Sequence, residues 1–148
     1  MKTIEEVVSS ITTHKAEPEV RTLRRVEPGM VAHQGDVYLH VVPQDWARGK
    51  QRGSTQVAVG TTIGSRHVAE GEGVEVFDGK KLPPSFVRPQ WCADMSDAQV
   101  AEIFLGPVVV APDGFTLTHP EHAHHKLPAC VVQVTYQGDP RTARRVQD

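Results

Sequence analysis

Four histidines lie close together in the segment LTHPEHAHHKLP, which runs from Leu117 to Pro128. They are His119, His122, His124 and His125. Imidazole nitrogens bind zinc and iron, and they also exchange protons near neutral pH. The segment therefore raises the hypothesis of a metal or acid–base site, with a polar, solvated turn as the alternative.

The backbone conformation of this segment decides which histidines can meet. On a strand, His122 and His124 would share one face, about 7 Å apart. On a helical turn, His122 would instead pair with His119 or with His125 at a spacing of three residues.

A capping signal favours a helical turn at the start of the segment. Thr118 and Glu121 have the T-x-x-E spacing of a capping box, and Pro120 is tolerated in a first turn. We predict one turn over 119–122 followed by extended chain. In that geometry three histidines converge, as a zinc or iron site with an open position for water requires. These predicted metal ligands are His119, His122 and His124, and His125 is predicted to point away.

A second polar block, GSRHVAEG, offers groups that could complete such a site. Ser65 and Arg66 are predicted to bind substrate, because the guanidinium of an arginine can hold a carboxylate or phosphate with two hydrogen bonds. His67 is predicted to be a fourth metal ligand or a general base. Asp36, in the turn of HQGDVYL, and Glu121 are the candidates for catalytic base or for orienting a ligand. The alternative for each block is a turn whose polar groups bond to its own backbone or to a surface partner.

The elements that must position these residues follow a period of two rather than 3.6. GDVYLHVVP, STQVAVGTTIG, VEVFDG and ACVVQVTYQG all alternate in the manner of strands. VVVAPDGFTLT is predicted to be a hairpin with a Pro-Asp-Gly turn, and the three prolines of KKLPPSFVRPQW predict a long surface connection.

Two short helices complete the prediction. One covers about residues 3–13, where apolar residues recur at helical spacing. The other begins at the capping box formed by Ser96 and Gln99 and ends before Gly106. The predicted fold is therefore mainly β: an antiparallel barrel or sandwich in one domain over 1–148, with an N-terminal helix within 1–15 and a polar tail over 139–148.

Composition narrows the classes of function. The chain has 148 residues and a formal charge of -2, so binding to a polyanion by bulk charge is disfavoured. Arginine clusters leave nucleic-acid binding open, but aromatic residues for base stacking make up only 5% of the chain. The segment 1–15 contains two glutamates and does not have the apolar run of a signal peptide. We therefore predict a cytoplasmic protein that does not bind membranes, with two separated cysteines in the thiol form.

Several blocks occur together in a recognisable order. They are QGDVYL, GSRHVAEG, LGPVVVA, LTHPEHAHHKLP and VQVTYQ, followed by RRVQD. In this order the chain resembles a family of small bacterial and phage proteins from about Val26 to the C-terminus. That family usually has a glycine where this chain has Ala129. The resemblance implies that these polar blocks belong together, and it implies no particular reaction.

The sequence leaves two classes of function open. The first is a β protein with a histidine-rich pocket that binds a divalent metal, zinc or iron, or a small anionic ligand, with metal-assisted hydrolysis as the reaction if it is an enzyme. The second is a module without catalytic activity that forms a homo-oligomer or docks a protein partner through its exposed strand edges.

Overall fold

The computed structural model describes residues 19–59 and 66–146. The predicted helix over 3–13 and the predicted ligand-binding Ser65 lie outside the described residues. Thirteen strands, one α-helix and one short 3-10 turn, Gln90–Cys92, are present in the described part. The strands are β1 Val20–Thr22, β2 Val31–Gln34, β3 Val37–Val42, β4 Arg48–Gln51, β5 Gln56–Val59, β6 Arg66–Glu70, β7 Glu75–Gly79, β8 Leu105–Ala111, β9 Phe115–Thr118, β10 His124–Leu127, β11 Cys130–Tyr136, β12 Gly138–Asp139 and β13 Arg144–Arg145, and the helix is α1 Asp97–Phe104.

The strands form two large sheets and one small ribbon. The first sheet has the order β1-β10-β9-β6-β5, and the second has the order β2-β3-β11-β8-β7-β4. All pairs are antiparallel except β1 with β10, which is parallel. The prediction of a mainly β, largely antiparallel chain is therefore confirmed. In both sheets the two outermost strands stay apart, so the described strands form no closed barrel.

One apolar core contains residues of both large sheets. Val37 and Leu39 of β3 belong to the same buried cluster as Leu117 of β9 and Ala69 of β6. The alternation predicted for β3 is confirmed, because Val37, Leu39 and Val41 share this core while Val42 joins a second cluster around Trp46. The inner face of each sheet is thus defined by residues of the shared core, and its outer face by the residues between them.

The internal helix is confirmed together with its capping box. The Ser96 hydroxyl accepts a hydrogen bond from the backbone N–H of Gln99, and the Gln99 side chain accepts one from the backbone N–H of Ser96. The helix buries Val100, Ile103 and Phe104, which pack against Phe86 and other apolar residues of the proline-containing connection. This connection therefore covers part of the sheet instead of extending into solvent along its whole length.

The hairpin predicted in VVVAPDGFTLT is wrong. The turn itself is present, with the Gly114 N–H bonded to the Ala111 carbonyl and Gly114 at φ 87°. However, β8 before the turn pairs with β11 and β7, whereas β9 after it pairs with β10 and β6. The turn carries the chain from one sheet to the other, because strands flanking a tight turn pair only if both continue in the same sheet plane.

Candidate functional site

Three segments that are distant in sequence meet at one end of the two sheets. The first is the two-residue turn between β2 and β3, in which Gly35 has φ 58° as the first position of a type II′ turn requires. The second is the start of β6, and the third is the turn over 119–123 between β9 and β10. Each contributes a buried polar residue: Asp36, His67 and His119, respectively.

Gln34 connects these segments. Its amide nitrogen donates hydrogen bonds to the carbonyls of Leu117 at 2.8 Å and of Ala123 at 2.7 Å, and so spans the 119–123 turn from end to end. Its amide oxygen lies 2.7 Å from Nδ1 of His67. Because the two carbonyls can only accept, the orientation of the Gln34 amide is set, and the oxygen must accept a proton from His67 Nδ1.

The other ring nitrogen of His67 faces Asp36. His67 Nε2 lies 3.3 Å from Asp36 Oδ1, and both side chains are buried. His67 lies on the inner face of its sheet, like Ala69 two residues further along β6. The predicted proximity of Asp36 to a histidine is therefore present in the structure, and the histidine is His67.

Asp36 carries its charge readily at this position. Burial alone would raise the pKa of the Asp36 carboxyl, but the hydrogen bond and charge interaction with His67, a backbone hydrogen bond and the charge of Arg145 outweigh burial. The pKa therefore lies below its ordinary value.

Three histidine rings form the centre of the site. The ring centroids of His67 and His119 are 4.4 Å apart, those of His119 and His122 are 4.3 Å apart, and those of His67 and His122 are 6.2 Å apart. The structure thus brings together three of the four predicted metal ligands, His67, His119 and His122. The proximity of the GSRH block to the HPEH segment follows from the pairing of β6 with β9.

The helical turn predicted over 119–122 is wrong, and so is the capping box assigned to Thr118. In its place, Nδ1 of His119 accepts hydrogen bonds from the backbone N–H groups of Glu121 at 3.0 Å and His122 at 3.2 Å. The Thr118 hydroxyl instead donates to the Val68 carbonyl on the neighbouring strand, at 3.4 Å. Since Nδ1 of His119 accepts, the proton of the neutral ring lies on Nε2.

The remaining predicted site residues lie apart from the three rings. His124 is half-buried on β10, and within the described residues it makes no ring contact with His67, His119 or His122. His125 is buried on the inner face opposite Leu117 and bonds to the Ala123 carbonyl. Arg66 is exposed and alternates with His67, so it lies on the outer face of β6. Glu121 is exposed at the edge of the site.

The donor atoms are not arranged as a finished metal centre. Over residues 19–59 and 66–146, no group of three or more His, Cys, Asp or Glu side chains has the geometry to hold a metal ion. The pair of His67 and Asp36 is the part of the cluster in which two donor atoms already face the same point.

Sequence reasoning missed two polar networks that involve buried glutamine and histidine. Gln34 was assigned only to a turn, since nothing in VAHQGD distinguishes a buried glutamine from an exposed one. His40 was assigned to a strand face without a role. In the structure its Nδ1 lies 2.8 Å from the Ser85 hydroxyl and its Nε2 lies 2.8 Å from the Thr135 hydroxyl.

The buried ring of His40 makes stability depend on pH. Burial lowers the pKa of His40 from 6.5 to about 4, so between these values the unfolded chain binds a proton that the folded chain does not. The neutral ring therefore contributes full stability above pH 6.5, and this contribution is lost as the pH falls towards 4. Replacing His40 by asparagine is expected to reduce the loss in unfolding free energy between pH 7 and pH 4 by up to about 3 kcal/mol, measured by urea denaturation.

A matched variant separates this effect from general acid sensitivity. His33 is exposed on the adjacent strand, so His33→Asn is expected to follow the pH profile of the unmodified chain. Identical pH profiles for His40→Asn and the unmodified chain would show that His40 is not held neutral by burial.

Comparison of the chain with protein-family models, with curated proteins and with solved structures found no match. Among the described residues, no helix is both long enough and apolar enough to cross a membrane.

Proposed function

We propose that this protein binds a divalent metal ion between Asp36 and His67, with His122 as the third ligand. The observation that carries the proposal is the contact between His67 Nε2 and Asp36 Oδ1. Gln34 requires the His67 proton to be on Nδ1, so two electron-pair donors face each other unless a proton or a metal ion lies between them.

The distance favours a metal ion over a proton. A charge-assisted hydrogen bond between nitrogen and oxygen is about 2.7–2.9 Å long, whereas the two atoms are 3.3 Å apart. Two ligands on a tetrahedral zinc ion, with bonds of about 2.0–2.1 Å, are about 3.3–3.4 Å apart. The hydrogen bond from His67 Nδ1 to Gln34 is also the outer contact that typically orients a metal-binding histidine.

His122 is the best placed third ligand. It is half-buried in the 119–123 turn, and its ring centroid is 6.2 Å from that of His67. Two rings that share a tetrahedral ion have centroids about 5 Å apart, so His122 must move by about 1 Å to ligate. His119 is better suited to donate a hydrogen bond from Nε2, because ligation through that nitrogen would require it to give up its contacts at Nδ1.

The reaction class that suits such a site is metal-assisted hydrolysis. Three protein ligands leave a position for water on the ion, and the His119 N–H could stabilise negative charge on a bound anion. Exposed Glu121 at the edge of the site is the group we propose as base. The supporting fold is proposed to be a β-sandwich that works in the cytoplasm, where the buried free thiols of Cys92 and Cys130 would stay reduced.

Metal titration of chelator-treated protein tests the proposal. We expect one zinc ion per chain by calorimetry, with affinity at least tenfold lower in Asp36→Asn and in His122→Asn. The matched controls are Asp45→Asn and His33→Asn, since both side chains are exposed and distant in sequence from the site. Circular dichroism shows that each variant is folded.

Two results would contradict a metal site. One is the absence of stoichiometric binding of zinc, iron or manganese to the folded chain. The other is nitrogen chemical shifts of His67 that show both ring nitrogens protonated in protein saturated with metal, which would mean that a proton occupies the position.

A further inference from the structure

A second cavity lies on the outer face of the six-stranded sheet, away from the His67 cluster. Its volume is about 350 Å³, which lies at the lower end of the range for small-ligand sites. One wall is formed by Tyr38 and His40 of β3, and the opposite wall by Ser85 and Phe86 of the proline-containing connection. Phe104 at the end of α1 contributes to the same lining.

The lining is mainly apolar and rich in aromatic rings. Tyr38, Phe86, Phe104 and Tyr136 all border the cavity. Phe86 and Phe104 pack with centroids 5.1 Å apart, so their faces and edges are held in place. Val87, at 83% exposure, is the most exposed large apolar residue among the described residues, and it belongs to the same lining. An aromatic, open-mouthed cavity of this size suits a single planar ring.

One polar point interrupts the apolar lining. The Ser85 hydroxyl is bonded to His40, and His40 is bonded in turn to Thr135. A hydroxyl group has one donor and two acceptor positions, so Ser85 keeps capacity for a further hydrogen bond to a ligand. A molecule in the cavity can therefore satisfy one hydroxyl or amide group there.

Charge complementarity decides the class of ligand. None of the described residues that line the cavity is an acid, a lysine or an arginine. Burial also holds the His40 ring neutral. A carboxylate or ammonium group would thus lose its hydration without gaining a counter-charge, which is costly.

We propose that this cavity binds a small neutral aromatic molecule whose single hydroxyl or amide group bonds to Ser85. The contact between Ser85 and His40 has the geometry of a nucleophile and its base. However, the third group is the hydroxyl of Thr135 rather than a carboxylate, so nothing stabilises the imidazolium that nucleophilic attack would create. Binding without covalent chemistry is what the site supports.

Matched probes of equal size test the proposal on the full chain. Benzamide and benzyl alcohol are neutral, benzoate is anionic, and ethylbenzene lacks the polar group. Titrations followed by two-dimensional NMR are expected to give saturable binding of benzamide and benzyl alcohol, with Kd at or below about 1 mM. Benzoate is expected to bind at least tenfold more weakly at pH 7.

Variants locate the binding within the cavity. Ser85→Ala is expected to weaken benzyl alcohol at least threefold and to leave ethylbenzene unchanged, because only the former uses the hydroxyl. Ser54→Ala, at an exposed serine outside the cavity, is the control and is expected to change neither. A folded Ser85→Ala chain is recognised by an unchanged amide spectrum away from the cavity.

Three results would overturn the proposal. They are the absence of saturable shifts at cavity residues with both neutral probes up to about 10 mM, affinity for benzoate equal to that for benzamide, and benzyl alcohol binding that is the same with and without the Ser85 hydroxyl.

Discussion

Replacing Gln34 by leucine is expected to lower the free energy of unfolding by about 4 kcal/mol, one of the two largest effects that we predict. The change leaves the Leu117 carbonyl, the Ala123 carbonyl and the His67 Nδ1–H without their partner. A buried polar group that loses its hydrogen bond costs about 1–3 kcal/mol, and leucine adds no compensating donor or acceptor. Urea denaturation measures the loss.

The same substitution has a local signature that a general loss of stability does not have. Because Gln34 holds both ends of the 119–123 turn, the backbone amides of Glu121 and His122 are expected to exchange with solvent at least about tenfold faster under native conditions, while amides at the centre of β11 change only with global stability. Gln51→Leu, at an exposed glutamine on β4, is the control. Equal stability of the two leucine variants would refute the role of Gln34.

Replacing Gln133 by leucine is expected to have a similar cost, about 4 kcal/mol, for a purely structural reason. Gln133 is fully buried in the middle of β11, where the register with β8 shifts. Its amide nitrogen donates to the carbonyls of Gly106, Pro107 and Val134, and its oxygen accepts from the indole N–H of Trp46 at 3.0 Å. The side chain thus occupies the irregularity in the ladder and satisfies backbone groups that the shift leaves unpaired.

A double-mutant cycle isolates the contact with Trp46. Trp46→Phe removes the indole donor, so adding Gln133→Leu to it is expected to cost at least about 1 kcal/mol less than in the unmodified chain. Gln44→Leu, at an exposed glutamine, is the control and is expected to be nearly neutral. Strict additivity of the Trp46 and Gln133 changes would mean that the two side chains do not depend on each other.

Both glutamines illustrate what a single sequence conveys about a buried polar residue. Gln133 stands between valines in CVVQVTY, and a polar residue inside an apolar strand suggests a specific partner. Gln34 stands at the polar end of a strand beside a turn, where an exposed glutamine would look the same. Its partners are 83 and 89 residues away in the chain, so no local pattern could have revealed them.

The histidine segment shows the same division between local and distant information. The sequence selected the residues of interest, and three of its four predicted metal ligands, His67, His119 and His122, do meet. It misjudged the backbone, because a capping box at Thr118 and a histidine that caps the turn through its own ring both satisfy the same N–H groups. It could not place Arg66 relative to His67 in space, since that depends on which face of β6 turns towards the second sheet.

By itself, the sequence determined the class of fold, the alternation of β3 and the capped helix α1, all of which depend on interactions within a few residues. Only the tertiary structure decided that the Pro-Asp-Gly turn crosses between sheets, that Gln34 and Asp36 hold His67 from opposite sides, and that His40 meets Ser85 beside a cavity. The physical reason is that hydrogen bonds and sheet pairing between distant segments depend on how the two sheets pack. That packing is a property of the whole core and not of any one stretch of chain.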